Sequence, residues 1–342
     1  MSTSDDRQCG SSGEITSNIK ECTSCEQNNI DNITEGIDGV AILDDTSICA
    51  ACGKRDNNEM NICNRCKMVK YCNAACKKKH RSKHKKKCDR RVAELYDEQL
   101  FKEVEAEECP ICFLPLSGQR AFQTCCGKVI CSGCMYAMKM SEGKDLCAFC
   151  RTPPALSTNK EDLKRLKILM DKGNGKAFHY LAELYRCGRR GLPRDWSKSI
   201  ELCLKAGELG CADGYCSLGF VYMHGQEVER DIKKAQYYFE LATMGGNITA
   251  RHNLACIEGD NGNEHRAMKH FMIAARAGSE ESLNGIKKNY IRGIMKGLIT
   301  KDEYANTLRA YQKRQEEVKS DERDKAVIYY ASIGATLQYG DR

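Results

Sequence analysis

Cysteine is the residue through which this chain could do chemistry. It has 23 cysteines, 18 of them before residue 151 and most in Cys-x-x-Cys pairs. A thiolate can act as a nucleophile, a redox centre or a metal ligand, and two cysteines separated by two residues present both sulfurs to one ion. Residues 49–88 hold eight candidate ligands: Cys49, Cys52, Cys63, Cys66, Cys72, Cys76, His84 and Cys88. The three-residue gaps Cys72/Cys76 and His84/Cys88 set two ligands one helical turn apart on the same face. Residues 109–150 hold eight more: Cys109, Cys112, Cys125, Cys126, Cys131, Cys134, Cys147 and Cys150. Tetrahedral zinc takes four ligands, so sixteen predict four ions. His80, one turn before His84, could compete as a ligand. Cys22-x-x-Cys25 with Cys9 falls short of a full set.

A disulfide framework is the competing reading of so many cysteines, but such frameworks belong to short secreted chains. The N-terminus, Met-Ser-Thr-Ser-Asp-Asp, does not read as a secretory signal. No run reaches the roughly 18 apolar residues of a membrane span. The sequence therefore predicts an intracellular protein of the cytoplasm, the nucleus or both, where thiols stay reduced, and no membrane contact. The net charge of +7 is concentrated in residues 77–91, which carry ten Lys/Arg against one Asp. That block reads either as the solvated face of a zinc-binding helix or as a nuclear-import or nonspecific nucleic-acid contact. No aromatic residue interleaves with it, which argues against base stacking.

Around these modules the chain divides further. Residues 1–48, rich in Ser, Asn, Asp and Gly and without an aromatic, predict a disordered segment. Val92, Leu95, Tyr96, Leu100 and Val104 follow helical spacing and predict a linking helix within 89–108. A linker with a helix is expected over 153–175. Residues 176–285 repeat with a period of 36 to 37, as from Leu181 to Leu218 and from Ala206 to Ala242. A third copy runs through Leu254 and Ala274, with its central loop about four residues shorter. A period of this length predicts stacked helical hairpins. Residues 286–342 predict capping helices, one opened by the box Thr300-Lys-Asp-Glu303 and one over 322–336.

These patterns carry three resemblances. Residues 49–88, with Tyr71-Cys72 at the third pair, are similar to the MYND-type zinc finger. That family interleaves its ligands, which implies Cys49, Cys52, Cys72 and Cys76 at one zinc and Cys63, Cys66, His84 and Cys88 at the other. It commonly docks proline-rich peptides, but Lys77 and Arg81 stand where it carries Gln and Trp, so the partner does not carry over. Residues 109–152 resemble a RING finger, which implies Cys109 and Cys112 with Cys131 and Cys134. The second site would join Cys147 and Cys150 to ligands near 125–128. Lys128 occupies the usual histidine position and has no lone pair to give, so either Cys125 and Cys126 both bind or the site is incomplete.

RING fingers bind a ubiquitin-conjugating enzyme. The resemblance assigns that contact to Ile111, Met138, Phe149 and Arg151, with Ala148 in the place of the usual Pro. The repeats resemble Sel1-like repeats, relatives of the tetratricopeptide repeat. The predicted fold is two small cross-brace zinc modules followed by an all-α helical-repeat solenoid. The expected function is either a RING-type ubiquitin ligase whose repeats choose substrate proteins, or a noncatalytic zinc-finger adaptor. Residues 176–342 show no Ser/His/Asp set, phosphate loop or paired acids that would suggest another enzyme.

Overall fold

The computed structural model describes residues 48–55, 60–116, 118, 120–141, 146–153 and 159–333. Cys9, Cys22, Cys25 and nearly all of the expected disordered segment lie outside them, as do residues 334–336 of the last predicted helix. The chain forms two compact units, the first ending at Asp97 and the second beginning at Glu98.

The first unit is a small cysteine-rich module. Strands β1 (Asn61–Ile62) and β2 (Lys70–Tyr71) pair antiparallel, Asn61 opposite Tyr71. Helix α1 spans Ala74–Leu100. The core is Cys49, Cys63, Cys66, Tyr71, Cys88 and Val92, so the sulfurs themselves are most of the buried apolar surface. The sequence predicts one helix through His84 and Cys88 and a separate linking helix over 89–108. In fact a single helix runs through both and stops at Leu100, with residues 102–107 in neither helix nor strand. No Gly or Pro interrupts 74–100, so nothing breaks the helix before that point.

The second unit opens with the other cysteine-rich region. Strands β3 (Arg120–Phe122) and β4 (Val129–Cys131) form an antiparallel hairpin, followed by helix α2 (Ser132–Met140). Alternation along the hairpin sends the pair Ala121/Ile130 to one core and the pair Phe122/Val129 to another, with Cys131 at the strand's end joining the first. Ala121, Ile130 and Cys131 pack with Cys109, Ile111 and Met138. Phe122 and Val129 pack with Leu166 and Leu169 of α3 (Asn159–Asp171) and with Ala177 and Leu184 of α4 (Gly175–Cys187). Buried Asp162 ties the same elements together, accepting from Thr124 Oγ1 at 3.2 Å and pairing with Arg190. The cysteine hairpin and the start of the helical stack therefore share one core.

Helices α4 to α9 are each 13 residues long: α4, α5 (Trp196–Glu208), α6 (Ala212–His224), α7 (Ile232–Met244), α8 (Ile248–Asp260) and α9 (Glu264–Arg276). The recurring Asp of the pattern is a helix cap: Asp195 and Asp231 each accept the backbone N–H three residues on, at 2.9 and 3.0 Å. The recurring small residues, Ala177, Ala206, Ala242 and Ala250, are fully buried, which lets backbones approach. Gly214 is such a point, and the neighbour it meets is backbone. A Cβ there would sit 2.5 Å from the Cys203 carbonyl oxygen and 2.8 Å from Ala206 Cβ.

Helices α10 (Glu280–Met295) and α11 (Lys301–Glu317) close the stack around Met268, Met272, Leu283, Ile286 and Ile299, and the Thr300/Glu303 capping box is present. The final helix, α12 (Asp321–Ser332), packs on α2. Tyr136 and Tyr329 lie 5.5 Å apart, Lys139 sits over the Tyr329 ring, and a Cβ on Gly133 would meet the Arg323 backbone at 2.8 Å. Part of the segment expected to cap the solenoid thus braces the second cysteine region, because Gly133 leaves room for its backbone. Among the described residues, no helix is long and apolar enough to cross a membrane.

Two predictions follow from the packing. Gly214→Ala is expected to cost about 1–3 kcal/mol by forcing α5 and α6 apart, read as a lower urea midpoint of the helical signal. His270 is fully buried without a hydrogen-bond partner at either ring nitrogen, and burial with Arg251, Arg266 and Lys269 nearby pushes it down to about 3. Its folded pKa lies below its unfolded one, so its contribution is whole above pH 6.5 and is lost as pH falls from there. Wild type should lose stability relative to His270→Gln by up to about 1.4 kcal/mol per pH unit below 6.5. Both proteins share the same thiols, so the difference between their acid melts isolates the imidazole.

Candidate metal centres

A backbone motif built four times presents four of the five described Cys-x-x-Cys pairs, all but Cys131/Cys134. In each, the residue after the second cysteine takes a left-handed conformation and its N–H donates to the carbonyl of the first. The donors are Gly53 to Cys49, Lys67 to Cys63, Phe113 to Cys109 and Arg151 to Cys147, at 2.8 to 3.0 Å. The first cysteine's own N–H donates back to the chain beyond, to Lys54, Val69, Leu114 and Thr152 respectively. Positive φ at Lys67, Phe113 and Arg151 is costly for a side-chain-bearing residue and signals a position fixed by its surroundings.

A fifth copy resolves how adjacent cysteines fit. Gly127, at φ +73°, donates to the Gln123 carbonyl, and the Gln123 N–H donates to Lys128. Gln123 occupies the first-ligand place, Cys126 the second, and Cys125 the residue before it. The turn aims both sulfurs inward and leaves Lys128 exposed. Gly127 also lies where a Cβ would come 2.5 Å from Asn174 Nδ2, the residue that caps α4.

Helices and strands supply the remaining positions. Asn73 accepts the Cys76 N–H at 2.8 Å and starts α1, which carries Cys76 one turn beyond Cys72 and then His84 and Cys88 one turn apart. Strand β4 ends at Cys131, whose sulfur accepts the Cys134 N–H at the start of α2.

The sixteen residues gather into four tetrads, each with ligand atoms within 4.8 Å of one another. They are Cys49, Cys52, Cys72 and Cys76; Cys63, Cys66, His84 and Cys88; Cys109, Cys112, Cys131 and Cys134; and Cys125, Cys126, Cys147 and Cys150. In both regions the first pair meets the third and the second meets the fourth. The donor set can be tested against zinc directly. A tetrahedron with 2.3 Å metal–sulfur bonds has edges of about 3.8 Å. The Sγ–Sγ separations are 3.7 Å for Cys52/Cys72, 3.9 Å for Cys63/Cys88 and 3.5 Å for Cys72/Cys76. In the second region they are 3.8 Å for Cys109/Cys134, 3.8 Å for Cys112/Cys131 and 3.7 Å for Cys126/Cys147. These lengths fit a shared cation and are nearly twice a disulfide bond.

Electrostatics points the same way. Burial and then the neighbouring sulfurs push the Cys125 and Cys134 thiols upward, since clustered thiolates repel. A divalent cation reverses that penalty and supplies a structural cross-link. Around Cys49 the Cys72 N–H already holds the thiol down, to about 6. The Arg323 guanidinium, almost buried, reaches Cys112 Sγ at 3.9 Å and adds positive charge beside the third tetrad.

The other singled-out residues fall into place around the tetrads. His84 is buried with Nε2 3.2 Å from Cys66 Sγ. His80 lies outside every tetrad, stacked on His84 at 5.8 Å with its Nδ1 3.2 Å from the Tyr71 hydroxyl. Ile111 and Met138 pack against the core beside the third tetrad, while Phe149 and Arg151 are exposed beside the fourth. A trio that the ligand spacing did not flag, His179, Cys211 and Asp213, comes together within the repeats. Its polar atoms are engaged in packing: His179 with Ser217 at 3.0 Å, and Asp213 with Asn247 at 2.8 Å and Arg120 at 3.7 Å.

Comparison with known proteins finds two families in the chain. The MYND finger family matches residues 49–88, and the Sel1 repeat family matches 176–211, 212–247 and 249–279. The chain therefore carries a zinc-binding MYND finger and three Sel1 repeats. It is 33 % identical over 98 residues to the ERAD-associated E3 ubiquitin-protein ligase component HRD3B of Arabidopsis thaliana. That match covers 28 % of this chain and only 15 % of the plant protein's length. Among solved structures it is similar to a Sel1 repeat protein from Oxalobacter formigenes, with TM-score 0.42 and 19 % identity over 53 % of this chain and 70 % of that one. It is also similar to c5321 of uropathogenic Escherichia coli, with TM-score 0.38 and 23 % identity over 52 % of this chain and 37 % of that one.

The two histidines of α1 give a sharp test. His84→Ala is expected to lower bound zinc by about one equivalent, since a tetrahedral site loses one of four ligands, whereas His80→Ala leaves the metal content unchanged. Atomic emission on the purified full chain reads both.

Proposed function

We propose that this chain is a protein-interaction protein holding four zinc ions, in which residues 109–152 act as a RING-type ubiquitin ligase module. The observation that carries the reading is the interleaving of the two tetrads in 109–150, which brings Ile111 of one knuckle and Phe149 and Arg151 of the other into a single small module. The four ions would be held by the four tetrads, Cys125 and Cys126 both serving the last. Ile111, Met138 and Phe149 would give a conjugating enzyme an apolar contact. Arg151, held at positive φ by its bond to Cys147, would offer a fixed guanidinium fork to the enzyme and to ubiquitin. Such a module transfers nothing itself; it orients the loaded enzyme. The ubiquitin link is further supported by the name of the plant relative, a ligase component.

Substrate choice would fall to the repeats, as surfaces for proteins. The exposed Lys85–Lys87 on α1 favour an additional contact with anionic partners such as nucleic acid, or use as a nuclear-import signal, in keeping with an intracellular site of action. The second reading is a noncatalytic adaptor. It draws on Ile111 and Met138 being half-buried in the core of their own module, where they would be needed for packing alone.

An autoubiquitination assay with a broad panel of conjugating enzymes separates the two. The ligase reading expects chain formation by the wild type and a loss of roughly tenfold or more, about 1.4 kcal/mol, in Ile111→Ala and in Arg151→Asn. Asn is chosen because it tolerates the left-handed backbone, so zinc content should stay constant. Absence of chains from the wild type with every enzyme leaves the adaptor.

A further inference from the structure

Beyond α1 the chain leaves the helix and runs along the Sel1 repeats, and the way it is held resembles the capture of a peptide. Arg251 of α8 is 1 % exposed, and its guanidinium donates to two main-chain carbonyls, Leu100 at 2.9 Å and Lys102 at 3.0 Å. Between those carbonyls Phe101 lays its ring on the buried His270 of α9, with centroids 4.4 Å apart. Lys269 and Arg266 flank the same ring at 4.1 and 5.0 Å. Two residues on, Glu103 pairs with Arg276 at 2.5 Å. Val104 passes over Gly246, and Glu107 pairs with Lys176 of α4 at 2.8 Å. The strap thus crosses the stack from the third repeat back to the first.

The receptor side consists of Lys176, Arg251, Arg266, Lys269 and Arg276, all cationic and drawn from the first and third repeats. The strap side, Phe101-Lys-Glu-Val-Glu-Ala-Glu-Glu108, is acidic with one aromatic lead. Recognition of carbonyls rather than side chains by the buried arginine asks only that the occupant be extended. Both paired acids of the strap, Glu103 and Glu107, are more than half exposed, and exposed ion pairs hold weakly. What keeps the strap in place is therefore Phe101, the two carbonyls and its covalent tether, which acts as a high local concentration.

We propose that this face of the repeats is a peptide-binding site occupied in cis by residues 100–107. It accepts, from a partner protein, an extended acidic segment with an aromatic residue followed by acids two and six positions later. The strap is a tethered occupant that a better ligand displaces. The assignment stands whether or not residues 109–152 transfer ubiquitin.

The test uses the full zinc-loaded chain and a fluorescent peptide copying residues 98–108. In the double variant Phe101→Ala/Glu103→Ala the cis strap is weakened, and fluorescence anisotropy should show the peptide binding at least roughly tenfold tighter than to wild type, which keeps its tethered competitor. Binding should be lost when the peptide carries Phe101→Ala, and weakened by only a few-fold when Arg276→Glu is added to the opened protein. Equal affinity for wild type and opened variant, or indifference to Phe101→Ala in the peptide, overturns the proposal. Should the opened variant misfold, wild type decides: excess peptide is expected to speed hydrogen exchange of amides 101–104, and unchanged protection overturns the proposal. Dimerisation of wild type that the peptide cannot reverse also overturns it, since the face would then serve strap exchange between copies.

Discussion

Four sulfurs cannot share a space of 4 Å as thiolates without a cation between them, and most of what is distinctive in residues 48–152 answers that constraint. The donors are held in place by backbone hydrogen bonds, which is why the turn residues Lys67, Phe113 and Arg151 are locked at positive φ. The cost of those conformations is met by the pair of main-chain bonds at each knuckle. In the first unit the sulfurs also form most of the core, so the ion and the fold stabilise each other. A module of this size has little apolar surface to bury otherwise.

The second cysteine region solves its size problem in another way. It lends one face of its hairpin to the repeats, through Phe122 and Val129, and it receives α12 on the far side of α2. The charge around it is arranged to match: Arg323 stands beside Cys112, and buried Asp162 holds Thr124 and Arg190. A cysteine-rich region that looks autonomous in the chain is thus part of a larger hydrophobic unit.

Ligand spacing, the 36-to-37-residue period and the Thr300/Glu303 box could be read directly, because each is a local rule connecting residue type to backbone geometry. The Asp195 and Asp231 caps belong to the same class. Other features were hidden because they depend on the partner surface. Gln123 in a knuckle's first position carries no ligand, so nothing in Cys125-Cys126 announced the turn that accommodates them both. The last carbonyl of α1 is met by Arg251, some 150 residues away in sequence, a contact invisible from Val92, Leu95 and Leu100 alone. The destination of α12 rested on Gly133, one glycine among 28.

That last contact has a consequence for the order of events during synthesis. Helix α2 is translated before the whole repeat stack and α12 only after it, so the Gly133 face stays uncovered while the stack is being made. Closure of α12 over that face joins the two ends of the described second unit into a ring of contacts. A product cut short within the repeats would keep both cysteine-rich regions yet leave this face of α2 uncovered, including Tyr136 and the Cys112 side of the third tetrad. The packing of the second cysteine region is therefore finished only once the last described helix has been made.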